Sequence, residues 1–215
     1  MLINAKLPIS SDRLSQQDQT LRLAGMDWAD YEQLLSDEYP GYRVSFLKGI
    51  ITLVSPSINH ERIAEIINYL VVAYCRKFNL LFYPMRSTTL KQKPLVGKEP
   101  DVSFAFGTDK NIPDLAIEVI FSSGGIEDLE KYQILGVSEI WFLRMETLPS
   151  KEPVPHSRRQ NEKLTFYRLQ GSSYQEIAVS VCLPNLAAKD LVGFVNRGIT
   201  ESPLTIEADF TSAIK

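Results

Sequence analysis

One carboxylate limits how this chain can fold. Residues 115–121 (LAIEVIF) form a short, dense apolar run, and Glu118 stands in the middle of it. The run reads as a strand in which Leu115, Ile117, Val119 and Phe121 share one face while Glu118 points to the other. A charge placed there is costly unless something compensates it. A second strand over Asp101 to Phe106 puts Val102, Phe104 and Phe106 on one face and Asp101, Ser103 and Ala105 on the other. If the two strands are neighbours, Asp101 and Glu118 come within reach of one hard cation, with a main-chain carbonyl, water and a substrate phosphate completing a magnesium-like shell. The competing reading pairs Glu118 with a nearby Arg or Lys, and spacing alone does not choose between them. Asp114 shares the face of Glu118 but lies four residues away, roughly 13 Å at the usual rise. Its simpler role is to start the strand after Pro113.

The flanking pattern alternates helices and strands. Asp27 is placed to cap a helix carrying Trp28, Tyr31, Leu34 and Leu35, which Pro40-Gly41 ends. A hairpin follows, Tyr42 to Phe46 and Ile50 to Val54, about Lys48-Gly49. Ser55-Pro56-Ser57 then opens a long helix over Asn59 to Phe78, whose apolar positions Ile63, Ile67, Leu70, Val71, Tyr74 and Phe78 recur at three- and four-residue steps. Further strands are expected at Leu80 to Tyr83 and Glu139 to Arg144, with a helix from Ile126 to Leu135 stopped by Gly136. Leu164 to Leu169 and Tyr174 to Ser180 form a hairpin about Gly171-Ser172. These elements predict an α/β (α+β mixed) fold with a mixed sheet flanked by helices and added hairpins. Residues 1–25 read as a loose arm, 26–195 as a single domain interrupted by a long polar loop at 146–163, and 196–215 as a tail that frays.

With 215 residues, 44% hydrophobic and 23% charged, the chain can bury a core without staples. A net charge of -3 excludes a highly basic nucleic-acid coat but not a local groove. Arg86, Lys91, Lys93 and Lys98 fall in a stretch with no acid that leads directly into Asp101, which suits a phosphate backbone passing the two acids. As an isolated feature, the run better describes a solvated loop that balances a slightly acidic protein. The longest apolar run, Tyr69 to Cys75, cannot span a bilayer, and MLINAKLPIS lacks the apolar core of a signal peptide. Cys75 and Cys182 lack metal-ligand spacing and read as reduced thiols in a cytoplasmic protein without membrane partners.

Taken in order, several fragments resemble the Uma-two family, described as putative restriction endonucleases, within the PD-(D/E)XK nuclease superfamily. They are Gly49, Ser55-Pro56-Ser57 with His60-Glu61, Glu99-Pro100-Asp101, Pro113-Asp114-Leu115-Ala116-Ile117-Glu118-Val119, Ser123-Gly124-Gly125-Ile126 and the run from Tyr132 to Trp141. The resemblance implies a restriction-endonuclease-like core and hydrolysis of DNA phosphodiesters with Mg2+, or Mn2+ in its place. It makes Asp101 and Glu118 the two acids and the main-chain carbonyl of Val119 a further metal ligand, with Glu61 and His60 nearby. The superfamily lysine position, two residues after Glu118, holds Ile120, and the helix position that relatives use holds Asp128. The nearest lysine is Lys131, offset on an ideal helix by about 60° and roughly 4.5 Å. The expected catalytic set is therefore Asp101, Glu118 and Lys131. A nuclease-fold protein that binds nucleic acid without efficient turnover is the alternative. A hydrolase using the two acids as general acid and base on a small substrate is a third reading. A homodimer is expected from exposed sheet edges and from the needs of double-strand cleavage.

Overall fold

The computed structural model describes residues 18–35, 41–121, 125–145 and 163–214. Strands and helices alternate as β1 (Gln19–Ala24), α1 (Trp28–Leu34), β2 (Arg43–Leu47), β3 (Ile50–Ser55), α2 (Ile58–Phe78), β4 (Phe82–Pro84), β5 (Leu90–Gln92) and β6 (Val96–Lys98). They continue as β7 (Val102–Phe106), β8 (Leu115–Ile120), α3 (Ile126–Leu135), β9 (Glu139–Arg144), β10 (Lys163–Gln170), β11 (Ser173–Ile177), α4 (Ala188–Arg197) and α5 (Pro203–Ala213). The mixed α/β class expected from the sequence holds, but the strands build two sheets instead of one. The first runs β1-β3-β2-β6-β5 and the second β11-β10-β9-β8-β7-β4. Among the described residues only β8 and β9 pair in parallel, and α3 makes the crossover between them.

The second sheet is covered on both sides, which explains the apolar character of β8 on both of its faces, interrupted by Glu118. On one side Ile63, Ile67, Leu70 and Tyr74 of α2 pack against Phe104, Ile117, Trp141 and Phe166. On the other, Ala116, Ile120, Ile140 and Phe142 meet Tyr132 and Leu135 of α3 and Leu90 and Val96 of the first sheet. Every residue of β8 is buried, Glu118 among them. The first sheet has a separate core, in which Trp28, Tyr31 and Leu34 of α1 lie on Val44, Phe46, Ile51 and Leu53. A Cβ at Gly97 would overlap the phenol of Tyr31, so only glycine lets α1 sit this close.

Helix α2 starts at Ser57, whose side chain accepts from the His60 N–H at 3.2 Å. It ends at Asn79, in the left-handed conformation at φ 52°. Helix α3 matches its expected limits, with Gly136 as its left-handed C-cap.

Two expectations at the chain ends need correction. The segment read as a loose arm contributes β1, which pairs antiparallel with β3 and turns Leu21 and Leu23 toward the α1 core. Residues 1–17 lie outside the described residues. The segment read as a fraying tail forms the end of α4 and α5. Ile206 and Phe210, one turn apart, are 1% and 0% exposed against α2, and Lys77 Nζ donates to the Thr211 and Ile214 carbonyls at 2.7 and 2.6 Å. Two anchoring positions are too few to reveal a helical period. Glu139 ties the preceding segment down, accepting from the Trp141 ring N–H at 2.5 Å and from the main-chain N–H groups of Val181 and Cys182 at 2.8 and 2.9 Å. The polar loop expected at 146–163 falls outside the described residues except for Lys163, which begins β10. Among the described residues no helix is long and apolar enough to cross a membrane.

Because α5 is a packed element, Phe210→Ala should lower unfolding free energy by about 3 kcal/mol or more. Urea denaturation checks this; a change within experimental error would mean α5 adds nothing to the fold.

Candidate active site

The register of β7 on β8 pairs Val102 with Ile117, and the next step of that register sets Asp101 opposite Glu118. Opposed residues of an antiparallel pair share a face, and both carboxylates line one small cavity of about 70 Å³ between the two sheets. Both are buried, at 8% and 6% exposure. The first sheet supplies each with a cation.

Arg43 of β2 reaches Asp101 Oδ1 with Nη1. The same Nη1 lies 2.8 Å from His60 Nε2, and Nη2 donates to Glu61 Oε1 at 2.8 Å. Asp101 Oδ2 accepts the Val119 main-chain N–H at 2.6 Å and lies 3.0 Å from His60 Nε2. On the far side of the ring, His60 Nδ1 is 2.8 Å from Asp18 Oδ2, while Asp18 Oδ1 accepts the Ser57 N–H at 2.8 Å. The His60 ring thus stands between the carboxylates of Asp18 and Asp101, with Arg43 beside its Nε2. Burial would raise the Asp18 carboxyl, but hydrogen bonding and charge from His60 overcome it and hold it below the ordinary value.

Glu118 has its own surroundings. Lys98 Nζ stands 3.1 Å from each of its oxygens, and the Tyr132 hydroxyl donates to Oε1. Lys98 also lies 3.6 Å from Asp128 Oδ2. Burial would lower the Lys98 ammonium, yet Asp128 and Glu118 together hold it above its ordinary value, so it stays charged. Tyr132 is pushed well up, first by burial and then by Glu118, and remains a neutral donor. Glu99, which also faces the cavity, is occupied structurally: it accepts from the Val44 N–H at 3.2 Å and the Thr89 hydroxyl at 2.7 Å.

Lys131 is directed elsewhere. Its ammonium donates to Asp128 Oδ1 at 2.7 Å and Ser45 Oγ at 3.0 Å, and burial lowers its pKa. The ammonium in contact with Glu118 is that of Lys98. Asp128 is itself paired: burial would raise this acid, but Lys98 and Lys131 hold it down at about 2.

Asp101 and Glu118 thus converge, as the strand pattern implied, together with His60 and Glu61. Sequence reasoning passed over Asp18, Arg43, Lys98 as a partner of Glu118, and Tyr132. A signal existed for Arg43, since the alternation Val44, Phe46 leaves Arg43 and Ser45 on the face away from the apolar core. No local pattern marked Asp18.

The family model described as Uma2, putative restriction endonuclease, matches residues 28–200. The chain belongs to this family. Among solved structures, a putative nuclease belonging to DUF820 from Anabaena variabilis is similar over 79% of this chain and 99% of its own, at 14% sequence identity and a TM-score of 0.49. A search of curated proteins found no match. In this Uma2 protein the motif acids lie where the two sheets meet.

Asp128 gives a pH signature. Its folded pKa is depressed from 3.8 to about 2, so its contribution, about 2 kcal/mol, is present above pH 4 or so and is lost as pH falls toward 2. Asp128→Asn should therefore be less stable than wild type at neutral pH, with the gap closing on acidification. Urea midpoints across that range test this, and a gap independent of pH would refute the assignment.

Proposed function

We propose that this protein is a divalent-cation-dependent endonuclease that hydrolyses phosphodiester bonds of DNA. The observation that carries this reading is the meeting of Asp101 and Glu118 in one cleft with the Lys98 ammonium beside them. The donor set suits a hard cation: two carboxylates and the adjacent Val119 carbonyl offer only oxygen. The charge balance suits it too. Asp18, Glu99, Asp101, Glu118 and Asp128 face the cavity, with Arg43 and Lys98 as the lysine and arginine cations among its lining residues. No three His, Cys, Asp or Glu side chains form a ready-made cage among the described residues. Arg43 is the stand-in charge at Asp101 and the group with which an entering cation competes.

Asp101 and Glu118 would hold the ion, which when bound neutralises the phosphate and acidifies an attacking water. Lys98, held charged, donates to the phosphate oxygens as negative charge builds on them. Tyr132 and Lys98 fix the orientation of Glu118. Asp18 fixes the ring of His60, and the Val119 N–H holds Asp101 from the opposite side. The two cysteines are free thiols, Cys75 with its pKa pushed up to about 12 by burial, in keeping with a reducing cytoplasm. Two copies paired through sheet edges would place one site on each DNA strand.

A second reading, a nuclease-fold protein that binds nucleic acid without turnover, draws on Arg43 and Lys98 already compensating both acids. An acid–base hydrolase of small substrates is disfavoured because both acids are already ion-paired, Asp101 to Arg43 and Glu118 to Lys98, whereas a general acid has to carry a proton.

Incubation of plasmid DNA with Mg2+ or Mn2+ separates these readings. The endonuclease reading expects cleavage that chelator stops and that Glu118→Ala lowers on the order of 100-fold or more. Salt-dependent binding with no cleavage favours the second reading. An independent check is stability. Arg43→Met leaves a buried acid without its counter-ion, costing about 3 kcal/mol. Millimolar Mn2+ should raise the melting temperature of Arg43→Met more than that of wild type; equal shifts would count against a cation at Asp101.

A further inference from the structure

Arg43 joins two acids that sit in very different surroundings. Its side chain, 16% exposed, stands between those of Asp101, 3% exposed, and Glu61, 53% exposed. Nη1 is on Asp101 Oδ1 and 2.8 Å from His60 Nε2, while Nη2 donates to Glu61 Oε1 at 2.8 Å. One end of the fork closes the carboxylate cavity, and the other already touches an acid at the surface.

The two contacts carry unequal weight. The inner one compensates an acid that is nearly sealed from water. The outer one adds little while the arginine also has Asp101, because an exposed pair is weak. Glu61 nevertheless has a fixed place in the first turn of α2, where the helix N-terminus favours a carboxylate. Its ion pair is with Arg43, whereas Glu65, one turn further along the same helix face, pairs with Arg86.

Asp101 has one oxygen to offer a cation. Oδ2 accepts the Val119 N–H and faces His60, so Oδ1 is the free acceptor, and Arg43 covers it. Arg43 cannot share that oxygen with a divalent ion, since like charges in a buried site repel strongly. Driven off with no other acid in reach, the guanidinium would be left half-buried without a counter-ion. Glu61 removes that penalty, because Nη2 is already on it. Arg43 is the first residue of β2, so its side chain can turn outward at the end of the strand.

We propose that Arg43 is a gate on the cation site and that Glu61 is its holder. Arg43 covers Asp101 Oδ1 in the metal-free protein and moves onto Glu61 when Asp101 takes a divalent ion. The inference rests on the endonuclease reading and names what keeps that site closed until the metal arrives. Glu61 is thereby a positioning residue and not a metal ligand.

Mn2+ binding to the full chain, measured by isothermal titration calorimetry, tests the gate without turnover. Wild type, Arg43→Met, Glu61→Gln and the double variant are compared. Arg43→Met should bind Mn2+ more tightly than wild type. Glu61→Gln should weaken binding about tenfold on its own but less than about twofold beside Arg43→Met, because a holder matters only when there is a guanidinium to hold. Glu65→Gln, which removes a charge from the same helix face, should change affinity by less than about twofold. Equal weakening by Glu61→Gln in both backgrounds, or an equal loss in Glu65→Gln, would overturn the gate while leaving the endonuclease reading intact. If the coupling is present but wild type cleaves no DNA, the gate stands and the catalytic reading falls. If neither wild type nor Arg43→Met binds Mn2+, the gate and the cation site fall together. Should Arg43→Met not fold, wild-type crystals soaked in Mn2+ decide. The guanidinium is expected on Glu61 and off Asp101; one that stays on Asp101 beside a bound ion, or leaves both acids, would overturn the gate.

Discussion

Beside the apolar contact of Leu90 and Val96, the two sheets of this protein meet through charge. Arg43 and Lys98 belong to the first sheet, Asp101 immediately precedes β7 and Glu118 lies in β8 of the second, and the ion pairs cross between them. Both acids are nearly sealed from water, so removing either cation would leave a buried charge uncompensated, at a cost of about 3–5 kcal/mol. Replacing a whole buried pair by well-packed apolar side chains is often neutral or stabilising. Stability alone therefore does not account for two such pairs side by side. They are better understood as chemistry that the fold carries, held in place by dependence on each other.

The chain path keeps that dependence stiff. Between Lys98, the last residue of β6, and Val102, the first of β7, only Glu99, Pro100 and Asp101 intervene. The chain thus passes from one sheet to the other in three residues, with a cation at one end and an acid at the other. Proline fixes one dihedral of this link, and Glu99 ties it to Val44 and Thr89. On the other side, Pro56 and Ser57 lead from β3 into α2, and the helix start delivers His60 and Glu61 to Arg43. Asp18 closes the arrangement by binding both the Ser57 N–H and the His60 ring. Four elements distant in sequence are registered at one point by groups that would be costly to leave unpaired.

Periodicity made the scaffold legible and left half of the site hidden. The three- and four-residue rhythm of α2, the strand alternation at 101–106 and the acid inside 115–121 were sufficient to bring Asp101 and Glu118 together. The division into two sheets was not legible, because β5 and β6 have three residues each, too short to show a period. Arg43 and Lys98 were visible as charges but not as partners, since pairing across sheets depends on how the sheets pack and not on any local pattern. Lys131 was favoured by its place in the chain. The structure turns it to Asp128 and Ser45, because α3 presents successive residues on different sides while β6 sends Lys98 straight to Glu118. Asp18 and Phe210 had no local signal: each matters through a contact more than forty residues away.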